Sequence, residues 1–149
     1  MVTKEQKSKL FDLLFRNDPS HSVALDADDF LDGTDSFTVF AGESGEQKQK
    51  FRQAVKKLLE KDPEAKIFAE VNFPVEKNRI DSDNLIVCSV LSPEEAAACF
   101  AGTAPVPGAE KICARYADTV WHVKKSGSAA VLRNGLSVDE QKRLCLLWW

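Results

Sequence analysis

Four helix starts are written into this 149-residue chain as capping boxes, and they fix where its strands can lie. In such a box a Ser or Thr hydroxyl accepts from the amide three residues on, while a Glu or Gln there reaches back to the first amide. Thr3-Lys4-Glu5-Gln6 opens a helix with Leu10, Phe11, Leu14 and Phe15 as its apolar face, and Asp18-Pro19 stops it. Ser44-Gly45-Glu46-Gln47 opens the longest, running to about Asp62, with Phe51, Val55, Leu58 and Leu59 at the spacing of one buried stripe. Ser92-Pro93-Glu94-Glu95 opens a short helix with Pro at its first position, ending near Gly102. Ser137-Val138-Asp139-Glu140 opens the last, which the apolar residues Leu144, Leu147 and Trp148 extend to the chain end.

Strands are expected between these starts. Residues 36–41 are short, β-branched and aromatic. Residues 66–73 alternate, with Ile67, Ala69, Val71 and Phe73 on one face and Phe68, Glu70 and Asn72 on the other. Residues 85–91 form a nearly continuous apolar run, the pattern of a central strand covered on both faces. Residues 119–124 and 129–133 flank Ser126-Gly127-Ser128, a hairpin signal. A loop at 76–83 joins the two middle strands, and Pro105-Val106-Pro107-Gly108 breaks the chain after the third helix. From residue 36 the order is strand, helix, strand, strand, helix, strand, which is the βαββαβ order of a ferredoxin-like core. The expected fold is therefore α+β, a single domain over 1–149. That core is preceded by an N-terminal helix and followed by a hairpin strand and a C-terminal helix.

Charge is distributed unevenly. Residues 17–47 carry eight carboxylates (Asp18, Asp26, Asp28, Asp29, Asp32, Asp35, Glu43 and Glu46) and no Lys or Arg, against a formal net charge of -3 for the whole chain. A segment of one sign needs an ion, a partner or an internal basic surface to answer it. Calcium is tested first, because an EF-hand loop needs oxygen ligands at positions 1, 3, 5 and 12 and Gly at 6. With Gly33 at position 6, Asp28 and Asp32 fall at 1 and 5, but Phe30 falls at 3 and Val39 at 12, so the motif fails. No metal site and no cofactor is assigned. The segment reads instead as a solvated loop anchored by Leu25 and Phe30-Leu31.

Other chemistries find little support. Cys88, Cys99, Cys113 and Cys145 form no C-x-x-C pair and sit among apolar neighbours, so all four read as buried thiols. The only histidines are His21 and His122, and a Cys–His dyad would have to use His122 with Cys88 or Cys99. Glu70 and Asp81 are the isolated carboxylates that could do acid–base work, yet both have ordinary strand or turn readings. Gly42-Glu43-Ser44-Gly45 precedes a helix, but Glu43 and Glu46 would repel a phosphate there. The strand at 85–91 lacks the basic and aromatic residues of an RNA-recognition strand, and the sequence pI is about 5.4, so nucleic acid is not an expected partner. The basic residues Lys48, Lys50, Arg52, Lys56, Lys57 and Lys61 read as the solvated face of their helix. No apolar run approaches the roughly 20 residues of a membrane span. The opening Met1 to Lys7 is charged rather than apolar, so cytoplasm is the expected compartment.

The run Leu25-Asp26-Ala27-Asp28-Asp29-Phe30-Leu31-Asp32-Gly33-Thr34-Asp35, followed by a strand, the basic helix and a strand pair, resembles a family of small bacterial cytosolic proteins. That family carries a D-F-F-E-G-N-D-type segment, a helix, a D-T-V-type strand and a short P-E-E helix. The match covers roughly residues 23 to 101, with Leu31 and Thr34 departing from the pattern. The family has no assigned activity and so transfers no functional residue. In size, acidity and lack of catalytic motifs the chain is also similar in type to immunity proteins that neutralise bacterial toxins. The expectation is an acidic protein-binding protein of that type, not an enzyme, that meets a basic partner through Asp26, Asp28, Asp29, Asp32 and Asp35. The alternative is a small enzyme or divalent-metal protein using the loop at 26–35. The C-terminal helix is expected to dock on its own sheet, with a homodimer through that helix as the alternative, because Trp148 and Trp149 are residues favoured at interfaces.

Overall fold

A computed structural model of the chain describes residues 2–16, 21–31, 45–71, 82–103 and 105–149. The expected strand at 36–41, the hydroxyl of the second capping box, Phe73, Asp81, and the site candidates Asp32 and Asp35 lie outside the described residues.

The local helix signals act as expected. The Thr3 hydroxyl accepts from the Gln6 amide at 3.1 Å and Gln6 Oε1 accepts from the Thr3 amide at 2.9 Å. From this box α1 runs over Lys4–Arg16. Helix α3 spans Gly45–Lys61, and its Phe51, Val55 and Leu58 are buried. The Ser92 and Ser137 boxes are both closed, opening α4 (Pro93–Ala98) and α5 (Val138–Gln141). Among the described residues no helix is long and apolar enough to cross a membrane.

Among the described residues seven strands form one sheet: β1 (Ser22–Asp26), β2 (Lys66–Val71), β3 (Ser82–Cys88), β4 (Gly108–Lys111), β5 (Val120–Val123), β6 (Ala129–Val131) and β7 (Leu144–Trp148). Their spatial order is β4-β7-β3-β2-β1-β5-β6. Among these strands each pairing is antiparallel except that of β1 with β5, which is parallel. The fold is thus α+β, but the ferredoxin-like core is not confirmed. The sheet has seven strands, and β2, which that core would place at an edge, lies at the centre.

Strand periodicity sorts the core into two layers. Val23, Leu25, Ile67, Ala69, Leu85, Val87 and Leu147 join the layer containing Leu10, Phe30, Phe51 and Leu58 from the helices and Phe100 from the turn after α4. Ala24, Phe68, Ile86, Cys88 and Leu144 face the other way, toward Ala117, Leu132 and Leu136. Those three belong to or follow two 3-10 turns, Ala114–Thr119 and Leu132–Gly135. The alternation expected along β2 and the two-sided cover of β3 are both present, β3 ending at Cys88 rather than at 91.

Three sequence expectations are corrected. The segment after Glu140 is not a helix: α5 stops at Gln141 and Leu144–Trp148 is a strand between β3 and β4. Its Leu144 is buried in one layer and its Cys145 and Leu147 in the other, so the segment gains cover on both faces and ladder bonds on both edges. A homodimer through a C-terminal helix therefore has no such helix to rest on. Trp149 is seated between Phe51 and Phe100, at ring distances of 5.0 and 5.3 Å, and its indole donates to Thr103 Oγ1 at 3.1 Å. Second, residues 22–31 are not a solvated loop. They form β1 and the short helix α2 (Ala27–Leu31), with Leu25, Phe30 and Leu31 buried as the expected anchors and Ala27 buried beside them. Third, Cys113 is exposed, while the other three thiols are buried as expected.

Candidate functional site

At the end of β1 the chain turns directly into α2, so consecutive acids leave the sheet in different directions. Parallel pairing sets Ala24 of β1 opposite His122 of β5, and antiparallel pairing sets Asp26 opposite Phe68 of β2. Those side chains share one sheet face. His122 Nε2 lies 3.1 Å from Asp26 Oδ1, and the imidazole rests edge-on against Phe68 at 5.1 Å. An ionised carboxylate only accepts, so Nε2 carries the proton in this bond.

Asp29 points the opposite way, into the molecule, and is 5% exposed. Its Oδ1 lies 3.2 Å from Lys125 Nζ, and its Oδ2 accepts from the Gln6 side-chain amide at 3.4 Å. Gln6, itself fully buried, also donates to the Val123 carbonyl at 3.4 Å. The residue that closes the first capping box thus also ties α1 to β5 and to the acidic segment. Thr3 adds a hydroxyl bond to the Lys125 carbonyl at 2.6 Å. Asp28, between these two acids, is exposed and has no side-chain partner among the described residues.

A hollow of about 590 Å³ opens beside these groups. It is lined by Asp26, Asp28, Asp29, Lys66, His122, Lys124 and Lys125, with Val55, Leu59, Phe68 and Leu132 among its apolar wall. A second hollow of about 580 Å³ shares Asp28, Asp29, Val55, Leu59 and Lys125 with the first and extends past Arg52, Lys56 and Glu60 of α3. The first hollow brings three carboxylates against three lysines, so the acidic segment faces a basic wall of its own molecule. Lys66 is held outward by Glu140, 3.0 Å from its Oε2, and by the Gly135 carbonyl at 3.2 Å. The Ser137 amide, helped by that pairing, keeps the Glu140 carboxyl below its ordinary range.

The other sequence candidates lie elsewhere. Glu70, at the middle of the sheet, accepts from the Tyr116 hydroxyl at 2.5 Å. Burial pushes its carboxyl up against the pull of the Tyr116 and Ser22 hydrogen bonds, and Asp83 adds to the rise. Burial also raises the Tyr116 hydroxyl, and Glu70 reinforces that. Burial pushes the Cys88 and Cys145 thiols up to about 11, which keeps both protonated at neutral pH. The partner of His122 is Asp26, not Cys88 or Cys99. Among the described residues no group of three or more His, Cys, Asp or Glu side chains is arranged to hold a metal ion.

Of the five acids expected to meet a partner, the hollow thus gathers Asp26, Asp28 and Asp29. It leaves Asp28 outward, engages Asp26 in part and closes Asp29 in. Sequence reasoning missed Gln6, Lys124, Lys125 and the role of His122. The pair Asp26 and His122 stand 96 positions apart, and no local pattern connects them. No protein-family model, no curated protein and no solved structure matches the chain.

Proposed function

We propose that this chain is a binding protein that engages a partner protein at the hollow beside α2, with Asp28 as its point of electrostatic contact. The observation that carries the reading is the contrast within one short helix. Asp29 is buried and paired, whereas Asp28 is exposed on the rim shared by both hollows and unpaired among the described residues. A carboxylate left open beside apolar Val55 and Leu59 suits a basic side chain set in an apolar patch. Asp26 assists from the wall, and Asp29 acts by positioning α2. Asp32 and Asp35 belong to the proposed contact by sequence only. An immunity protein that neutralises a basic toxin in the bacterial cytoplasm is the kind of function such a contact serves.

Capture from a lysate of the native host tests this. The immobilised full chain should retain a basic protein at low salt and release it as salt rises, because exposed charges are screened within about 10 Å at 0.1 M. Asp28→Lys should abolish retention. Retention indifferent to salt and to Asp28→Lys, or no retention, overturns the reading.

A small enzyme is the second reading, and the Asp26–His122 contact favours it, since a carboxylate that orients an imidazole is a common proton-transfer arrangement. Turnover of p-nitrophenyl ester or phosphodiester probes that is lost in His122→Gln supports it. No turnover, or turnover indifferent to that change, removes it.

A further inference from the structure

We propose that the hollow is built for a dipolar peptide segment: one apolar side chain flanked by one basic and one acidic residue. This rests on the protein-binding reading above and adds the chemistry of what enters.

Most of the charges around the hollow are answered from within the molecule. Asp26 accepts from His122, Asp29 from Lys125 and Gln6, and Lys66 is held by Glu140 and the Gly135 carbonyl. Two charged groups lining the first hollow are left without a side-chain partner among the described residues: the carboxylate of Asp28 and the ammonium of Lys124. They are of opposite sign and come from different places, Asp28 from the first turn of α2 and Lys124 from the residue that follows β5. The same hollow is also lined by apolar Val55, Leu59, Phe68 and Leu132. The volume of about 590 Å³ is within the range of sites that enclose a small ligand or a few peptide side chains.

A segment carrying only positive charge satisfies Asp28 but presents a like charge to Lys124, and a purely acidic one reverses the fault. A dipolar segment meets both and seats its apolar side chain on the wall. The selection is therefore made by repulsion as much as by attraction.

Blocked tripeptides titrated into the isotopically labelled full chain test this by NMR. Ac-Lys-Leu-Glu-NH2 and Ac-Glu-Leu-Lys-NH2 cover both orientations, with Ac-Lys-Leu-Lys-NH2 and Ac-Glu-Leu-Glu-NH2 as single-sign controls. At least one dipolar peptide should shift the resonances of Phe68 and His122 and bind about fivefold tighter than either control, as one partly exposed ion pair gained per contact implies. The double variant Asp28→Lys with Lys124→Glu should retain binding in the opposite peptide orientation, while Asp28→Asn and Lys124→Gln singly should each weaken it. Single-sign peptides bound as tightly as dipolar ones, or no shifts at Phe68 and His122, overturn the proposal. If those peptides fail while a protein is still captured through Asp28, the dipolar inference falls and the binding reading stands. If they bind as expected and no protein is captured, the reverse holds.

Discussion

Asp62 and Asp28 sit on opposite sides of the same question. Asp62 follows the last turn of α3 and is 8% exposed, with three donors on its carboxylate: the Ser89 hydroxyl at 2.7 Å, the Val90 amide at 3.1 Å and the Glu64 amide at 3.3 Å. Burial opposes its charge, but those bonds and nearby Arg143 outweigh it and hold the carboxyl below its ordinary value of 3.8. Asp28 has none of these partners. The first carboxylate is consumed in joining α3 to the turn before α4, and the second is left available. The same residue type therefore serves as mortar in one place and as an open contact in another. What differs is the number of donors the fold aims at it, since an ionised carboxylate is secured inside a protein only by several.

The largest expected effect is at Asp62. Asp62→Ala should lose about 3 kcal/mol in urea denaturation, with an unchanged slope, because three donors lose a charged acceptor. A cost no greater than that of Asp28→Ala would erase the contrast. Its pH dependence sharpens the point. The folded-state value is lowered, so the stabilisation relative to Asp62→Asn should be complete above the unfolded value of 3.8 and should shrink as pH falls through the folded value. Asp29→Ala comes next, at about 1–2 kcal/mol by the same measurement. Its carboxylate is buried, but the freed Lys125 side chain is 64% exposed and regains water.

Glu70→Gln should move stability the other way, with a gain below about 1 kcal/mol at neutral pH. Burial raises the folded value of Glu70, so the native charge is disfavoured once pH exceeds that value. The advantage of Gln should be full there and gone below the unfolded value of 4.5, which a pair of denaturation series across pH would reveal. The smallest effect on stability belongs to Asp28→Asn, within about 0.5 kcal/mol of the native chain by thermal denaturation. That substitution should nevertheless weaken partner capture. A large loss of stability at Asp28 would mean that its carboxylate is structural after all.

Much of the fold was legible where the signal is local. The Thr3, Ser92 and Ser137 boxes are closed as the sequence implies, because each needs only four residues. The stripe Phe51, Val55 and Leu58 is buried, and the 120–131 hairpin turns through Gly127 at φ 85, where a side chain would be strained. The acidic run was legible as charge but not as structure. Val23 and Leu25 were too short a pattern to announce a strand, and nothing near Asp29 in sequence points to Gln6 or Lys125.

Sequence alone determined the starts of α1, α3, α4 and α5, the α+β class, the two-faced strands β2 and β3, and the asymmetry of charge, because all of these depend on neighbours within a turn or a pleat. Tertiary structure decided that Leu144–Trp148 is a strand, that β2 rather than an edge holds the centre, and that Asp26 and Asp29 are answered from within while Asp28 is not. A short run that is apolar on both faces fits helix or strand equally well until ladder partners claim it. The fate of each carboxylate likewise depends on donors brought from distant parts of the chain.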